Sequence, residues 1–157
     1  MYKQLNIFED GYETELHPAK YWRTFDDEIL VFNEYLINRI GQIYSTKKNR
    51  YLTYSINPHR GGYCQVGLTN IKIYGEKKYI LKNNYSNSNR NYSKNFYIHK
   101  LVACTFLTNP DRKKYTIVNH IDENPLNNHI SNLEWCTPAE NSRKYYDKKD
   151  KGQLKLF

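Results

Sequence analysis

The chain lacks long apolar runs and paired cysteines, and it is poor in hydrophobic residues overall; each lack excludes something. No stretch approaches the roughly 20 apolar residues that a membrane-spanning helix needs. The start, Met1-Tyr2-Lys3-Gln4, leads into no apolar signal core, because Glu9 and Asp10 interrupt it. An intracellular protein without a membrane partner is expected. The three cysteines, Cys64, Cys104 and Cys136, are widely spaced and form no Cys-x-x-Cys pair. That argues against a thiolate zinc site and for free, buried thiols in a reducing compartment. Hydrophobic residues are only 39% of the 157, so the cores must be thin. The 16 tyrosines compensate, since each can bury a ring while keeping its hydroxyl wet.

What is abundant is positive charge. A net charge of +8 and a pI near 9.3 favour a polyanionic partner, nucleic acid first. The length allows one domain, or two small modules sharing one core.

The pattern along the chain changes character several times. Residues 1–18 are polar and partly acidic, closed by Pro18, and read as an arm. From 19 to 82 the chain is strand-like. Tyr35-Leu36-Ile37-Asn38, Gly41-Gln42-Ile43-Tyr44-Ser45, Arg50-Tyr51-Leu52-Thr53-Tyr54-Ser55, Tyr63-Cys64-Gln65-Val66-Gly67-Leu68 and Lys77-Lys78-Tyr79-Ile80-Leu81 are short aromatic and β-branched runs. Turn signals at Asn57-Pro58 and Arg60-Gly61-Gly62 separate them, and a small antiparallel sheet fits. Residues 83–95 are almost wholly polar and read as a loop or linker.

A module at 96–146 follows. Ile98, Leu101, Val102, Thr105 and Phe106 fall at helical spacing, ended by Asn109-Pro110. Thr116 to Ile121 reads as a strand, Asp122 to Asn132 as a polar loop, and Leu133-Glu134-Trp135-Cys136 as a second strand. Thr137 caps a helix through Ala139 to Tyr145, with Pro138 in its first turn. Residues 147–157 are Lys-rich and read as a frayed tail. The fold class is α+β.

Chemistry concentrates between 118 and 141, where strand, loop, strand and helix would return Asn141 toward His120. An imidazole beside amide oxygens suits phosphodiester hydrolysis. Imidazole ionises near pH 6.5 in water and can take a proton from water, while a hard divalent cation held by oxygens neutralises charge on the phosphate. Taken alone, His120 reads more readily as a histidine satisfied in a small core or hairpin; the surrounding pattern turns the reading toward catalysis.

At these residues the chain resembles a known family. Val118-Asn119-His120-Ile121-Asp122, Leu126-Asn127-Asn128, Asn132-Leu133-Glu134-Trp135 and Glu140-Asn141 look like the HNH nucleases, in the branch that includes intron-encoded and free-standing homing endonucleases. Ile98-His99-Lys100-Leu101-Val102-Ala103-Cys104-Thr105-Phe106 is similar to the helix that opens that branch. Upstream, Tyr21-Trp22-Arg23, Tyr35 to Ser45 and Gly62 to Val66 resemble the nuclease-associated modular domain that often precedes such a unit; Gln42 and the insert before Tyr35 depart from it.

The resemblance implies a ββα-metal module and roles for named residues. His120 would be the general base. Asn119 and Asn141 would offer oxygens to a divalent ion, Mg²⁺ first and Mn²⁺ as an alternative. Asn132 would tie the loop and steady the strand under His120. In many HNH enzymes the position before the histidine is Asp and the last is His. Here both are Asn, and two neutral amides hold a cation weakly, so Mg²⁺ is expected to bind well only when a DNA phosphate completes its shell. The partner would be double-stranded DNA, with no obligate protein partner, nicked one strand at a time to leave a 5′-phosphate.

Basic residues near hairpin ends and on the last helix, Lys47, Lys48, Arg50, Arg60, Arg143 and Lys144, could track the DNA backbone, as could His129 in the loop; a solvated basic face is the plain alternative. His99 is expected to pack, and Trp135 to belong to the core. Asn127 and Asn128 are expected to be turn residues with unusual backbone angles. Asp122 is open between supporting the site and capping the loop. Two rival functions remain: a non-catalytic DNA-binding protein on the same scaffold, and an RNA-binding module using its tyrosines.

Overall fold

A computed structural model describes residues 11–23, 27–69 and 93–153. The strand expected at Lys77 to Leu81, residues 1–10 of the arm, most of the polar 83–95 stretch and the last four residues lie outside them. A short helix α1 (Gly11–Thr14) leads into β1 (His17–Arg23), β2 (Glu28–Ile37), β3 (Ile43–Ser45) and β4 (Arg50–Tyr51). These form one antiparallel sheet in the order β1-β2-β3-β4. β5 (Ser55–Asn57), β6 (Tyr63–Thr69) and β7 (Ser93–Tyr97) form a second. α2 (Ile98–Phe106), β8 (Ile117–His120), β9 (Leu133–Cys136) and α3 (Pro138–Gln153) complete the chain. The architecture is α+β; among the described residues β8 and β9 form a third, two-stranded sheet, and the region where the sequence suggested one sheet contributes to two. Among the described residues no helix is long and apolar enough to cross a membrane.

β2 shows how side-chain parity is managed. Leu30 and Phe32 point inward at even positions, but Tyr35 and Ile37 point inward at odd ones. The β1–β2 register slips between Pro18 and Ala19, opposite this change. The extra residues reset the two-residue period, so both halves of the strand face the same core.

β1 is an edge strand, and α2 covers it. The Lys20 amide donates to Thr105 Oγ1 (2.9 Å) and the Trp22 amide to Cys104 Sγ (3.3 Å). Strand donors that would otherwise lie open are thus taken by helix side chains. Burial pushes the Cys104 thiol up to about 11. All three cysteines are free, as the spacing suggested.

Both halves share one core. Ile37 and Ile43 from the first sheet, Val66 and Phe96 from the second, Leu101 and Val102 from α2, and Val118 and Leu133 from the last strands belong to one buried cluster. Residues 93–95, expected to close a linker, instead begin β7 and pair with β6. Residues 17 and 18, expected in the arm, begin β1. The run expected as one strand from Arg50 to Ser55 is divided between β4 and β5. α3 continues to Gln153, past the expected end at Tyr145, because no Pro or Gly interrupts it before Gly152.

The turn between β2 and β3 joins the first sheet to the loop of the last module. Asn38, fully buried, accepts from the Gln42 amide (2.8 Å), and its Nδ2 donates to Gln42 Oε1 (2.9 Å). Gly41 has φ +86°, and a Cβ there would lie 2.9 Å from Ile98 Cγ2 and 3.2 Å from Asn128 Cβ. Glycine is required on both counts, left-handed backbone and close approach. Ile130 N donates to the Arg39 carbonyl beside it (2.8 Å).

Candidate active site

β8 and β9 are antiparallel, with Asn119 opposite Glu134 and His120 opposite Leu133. The long loop between them is tied from within. Asn132 Nδ2 donates to Asp122 Oδ1 (2.8 Å) and to the Asn127 carbonyl (2.9 Å), and its Oδ1 accepts from the Asp122 amide (2.9 Å). Asp122 also accepts from the Asn124 amide and from Asn127 Nδ2. These bonds, that from Asn127 first, hold the Asp122 carboxyl below the usual carboxylate range. Asp122 is therefore a hub of the loop, and Asn132 ties the loop backbone at Asp122 and Asn127. Neither Asn127 nor Asn128 has positive φ, contrary to expectation; Glu123 does, at 62°. The loop turns at Glu123, and the two asparagines are freed to use their side chains.

α3 starts with a reciprocal cap. The Glu140 amide donates to Thr137 Oγ1 (3.1 Å), and the Thr137 amide donates to Glu140 Oε2 (2.8 Å). With the start fixed, Asn141, Lys144 and Tyr145 fall on one helix face. That face looks onto β8 across a cleft of about 270 Å³, lined by Asn119, His120, Asn141, Lys144 and Tyr145, with Gly61 and Tyr63 from the second sheet and Glu123 and Pro125 from the loop. The imidazole at 120 and both candidate ligand amides thus share one opening.

His120 is only 5% exposed and tightly surrounded. Its ring stacks on Tyr63 (5.8 Å between centroids, 24° between planes) and meets His99 edge-on (4.9 Å, 63°). Its Nε2 lies 3.2 Å from Asn128 Oδ1. Asn128 Nδ2 donates to the Leu126 carbonyl (3.2 Å), which settles the amide's orientation. The oxygen faces the imidazole, so Nε2 carries the proton and donates. The lone pair of a neutral His120 is then on Nδ1, a tautomer assigned through its partner.

His99 packs, as expected. It sits against Tyr63, Tyr97 and His120, with its Nδ1 buried and without a hydrogen-bond partner among the described residues. Burial first, then the neighbouring His120 and Lys100, lower its pKa to about 3. It is a neutral ring at the back of the site. Trp135 is half-buried and packs against the core cluster, edge-on to Trp22 at 5.8 Å.

Around Asn119 one carboxylate oxygen gathers two donors. Asn119 Nδ2 donates to Glu134 Oε1 (2.8 Å), and Lys144 Nζ donates to the same oxygen. The bond from Lys144, ahead of that from Asn119, holds the Glu134 carboxyl low, and the Lys144 amine is correspondingly pushed up. Glu134 was not singled out in the sequence. Its signal, an acid directly opposite Asn119, exists only once the strand register is known. Asn128 is visible in the sequence as part of Leu126-Asn127-Asn128, where it reads as a turn residue; its side-chain contact with His120 appears only in the fold.

HNH nucleases generally use a divalent metal. Among the described residues no group of three or more His, Cys, Asp or Glu converges. A cation here would rest on amide oxygens. Asn119 turns its NH₂ onto Glu134, leaving its oxygen on the other prong, and the Asn141 amide makes no side-chain hydrogen bond among the described residues. Two hard oxygens on one cleft fit a hard cation, with fewer charges than usual.

The other basic residues scatter. Lys47, Lys48 and Arg50 are exposed around the β3–β4 turn, and Arg143 is exposed on α3. Arg60 closes the 3-10 turn Pro58–Arg60, next to Gly61 of the cleft lining. Lys144 is committed to Glu134. His129 caps the turn Ile130–Asn132 and bonds Ser131 Oγ (2.6 Å) and Glu13 Oε1 (2.9 Å), so it is engaged within the protein.

The sequence profile of the HNH endonuclease family matches residues 109–143. Similar proteins include an HNH endonuclease of Acanthamoeba polyphaga mimivirus, 39% identical over 69% of this chain and 26% of its own length. Another is the SPbeta prophage-derived YosQ of Bacillus subtilis (strain 168), which is named as an HNH homing endonuclease; it is 37% identical over 68% of this chain and 49% of its own length. The chain thus spans about half or less of the length of these relatives. The solved structure of the HNH homing endonuclease I-HmuI, described for its DNA binding and cleavage, aligns with a TM-score of 0.55 at 25% identity, covering 78% of this chain and 60% of that one. On these matches and the strand-loop-strand-helix unit around His120, residues 109–143 carry the HNH endonuclease pattern, and the chain is similar to HNH endonucleases of viral and prophage origin.

Proposed function

We propose that this chain is a metal-dependent DNA endonuclease that hydrolyses phosphodiester bonds, in the manner of a homing-endonuclease HNH unit. The observation that supports this most is the shared cleft of Asn119, His120 and Asn141, with Asn128 holding the imidazole from behind. His120 accepts a proton from water through Nδ1, and Asn128 keeps the opposite nitrogen protonated while it does so. Tyr63 and His99 wall the ring and limit its rotation. Asn119 and Asn141 would hold a divalent ion, Mg²⁺ or Mn²⁺, which when bound neutralises charge on the phosphate and the leaving 3′-oxygen. Asn132 acts on the loop, keeping Asp122 and Asn127 in place behind β8. The substrate is double-stranded DNA, cut one strand at a time to leave a 5′-phosphate. The exposed Lys47, Lys48, Arg50 and Arg143, with the N-terminal sheets, would bind its backbone without reading sequence.

The neutral Asn pair supports one second reading, a DNA-binding protein that has kept the scaffold without turnover. Nicking of supercoiled plasmid with Mg²⁺ or Mn²⁺ separates the two. Cutting by the wild type that is lost in His120→Ala and in Asn141→Ala supports the nuclease. Plasmid bound but uncut by the wild type refutes it.

A further inference from the structure

Three elements make the ββα unit, and one atom touches all of them. Glu134 Oε1, on β9, accepts from Asn119 Nδ2 on β8 (2.8 Å) and from Lys144 Nζ on α3. Asn119 and Glu134 are register partners, so the contact follows directly from strand pairing. Lys144 lies three residues after Asn141 on the same helix face, and both line the cleft with Asn119.

An asparagine amide has two chemically opposite prongs, and only the oxygen can bind a cation. Free in solution, it presents either. A carboxylate beside it accepts from the NH₂ and repels the oxygen, which selects one of the two orientations. The lysine on the same carboxylate draws α3 toward β9 and so limits how far Asn141 can move from Asn119.

We propose that Glu134 is a positioning residue: it turns the Asn119 amide so that the oxygen faces the cleft, and through Lys144 it sets the distance between the two amides that hold the cation. The inference rests on the cation site proposed above. A neutral ligand pair brings no charge to attract the ion, so its orientation must be arranged beforehand. Glu134 acts through Asn119 and does not itself need to touch the metal.

The test is Mn²⁺ affinity of the full chain, by titration calorimetry, together with the Asn119 side-chain NH₂ signals in the ¹H–¹⁵N spectrum without metal. Glu134→Ala should weaken Mn²⁺ binding about tenfold, the scale of one hydrogen bond to a charged group. Glu134→Gln, whose oxygen can still accept from Asn119, should recover most of the affinity. In an Asn119→Ala background, Glu134→Ala should cost clearly less than it does in the wild type, because only the Lys144 tie is left to lose. The Asn119 NH₂ pair should shift in Glu134→Ala and stay near its wild-type position in Glu134→Gln.

Equal Mn²⁺ affinity in wild type and Glu134→Ala overturns the inference and leaves the nuclease reading standing. Loss of affinity in Glu134→Gln that persists without Asn119 also overturns it, because Glu134 would then be a ligand. A wild-type chain that binds no Mn²⁺, alone or with duplex DNA, overturns both. Should Glu134→Ala fail to fold, the Glu134→Gln comparison with and without Asn119 decides the matter.

Discussion

A buried neutral histidine makes stability depend on pH in a way that can be worked out beforehand. His99 is 8% exposed, its Nδ1 has no partner among the described residues, and its pKa is lowered to about 3 from an ordinary 6.5. Between those values the unfolded chain binds a proton at this residue and the folded chain does not. Stability therefore rises with pH across the window and is lost as pH falls below 6.5. From about pH 7.5 to about pH 5 the loss comes to about 2 kcal/mol. Asp122, Glu134 and Glu140 have pKa values lowered from the usual carboxylate range and add little in this window. The assay is urea unfolding of wild type and His99→Gln at matched pH values. The wild type should lose about 2 kcal/mol more than the variant between the two ends. Parallel curves would refute the claim that His99 is held neutral behind His120.

Other outcomes follow from the packing around the same ring. Gly41→Ala forces a Cβ to within 2.9 Å of Ile98 and into left-handed backbone, so urea unfolding should show a loss of about 1–3 kcal/mol. Its nicking rate should fall as well, because the second atom it crowds belongs to Asn128. Asn128→Ala leaves a buried N–H of His120 without its acceptor and frees the ring to change tautomer. Nicking should slow by about 10–100-fold, the usual range for residues that orient a functional histidine, while DNA affinity measured by gel shift stays unchanged.

Local chemistry was legible in the sequence wherever the cause was local. The period of Ile98, Leu101, Val102 and Phe106 marked α2, and Thr137 with Pro138 marked the start of α3. The His120 unit was legible as a pattern of spacing. Features set by tertiary pairing were not. β1 begins at His17, in a polar stretch, because α2 covers its edge. β7 emerges from a run of Asn and Ser because β6 offers it a partner. His129 looked free for phosphate until Glu13, 116 residues away, was placed beside it. Lys144 looked like a solvated or phosphate-binding lysine until β9 brought Glu134 to it.

The central claim is that His120 and the two amides form a working hydrolytic centre. The direct measurement is single-turnover nicking of a bound duplex with Mg²⁺ by wild type and His120→Ala, with DNA affinity measured on the same samples. The account predicts equal affinity and a nicking rate lower in the variant by about 10²–10⁴-fold, the contribution of a positioned general base. Equal nicking rates at equal affinity would contradict it.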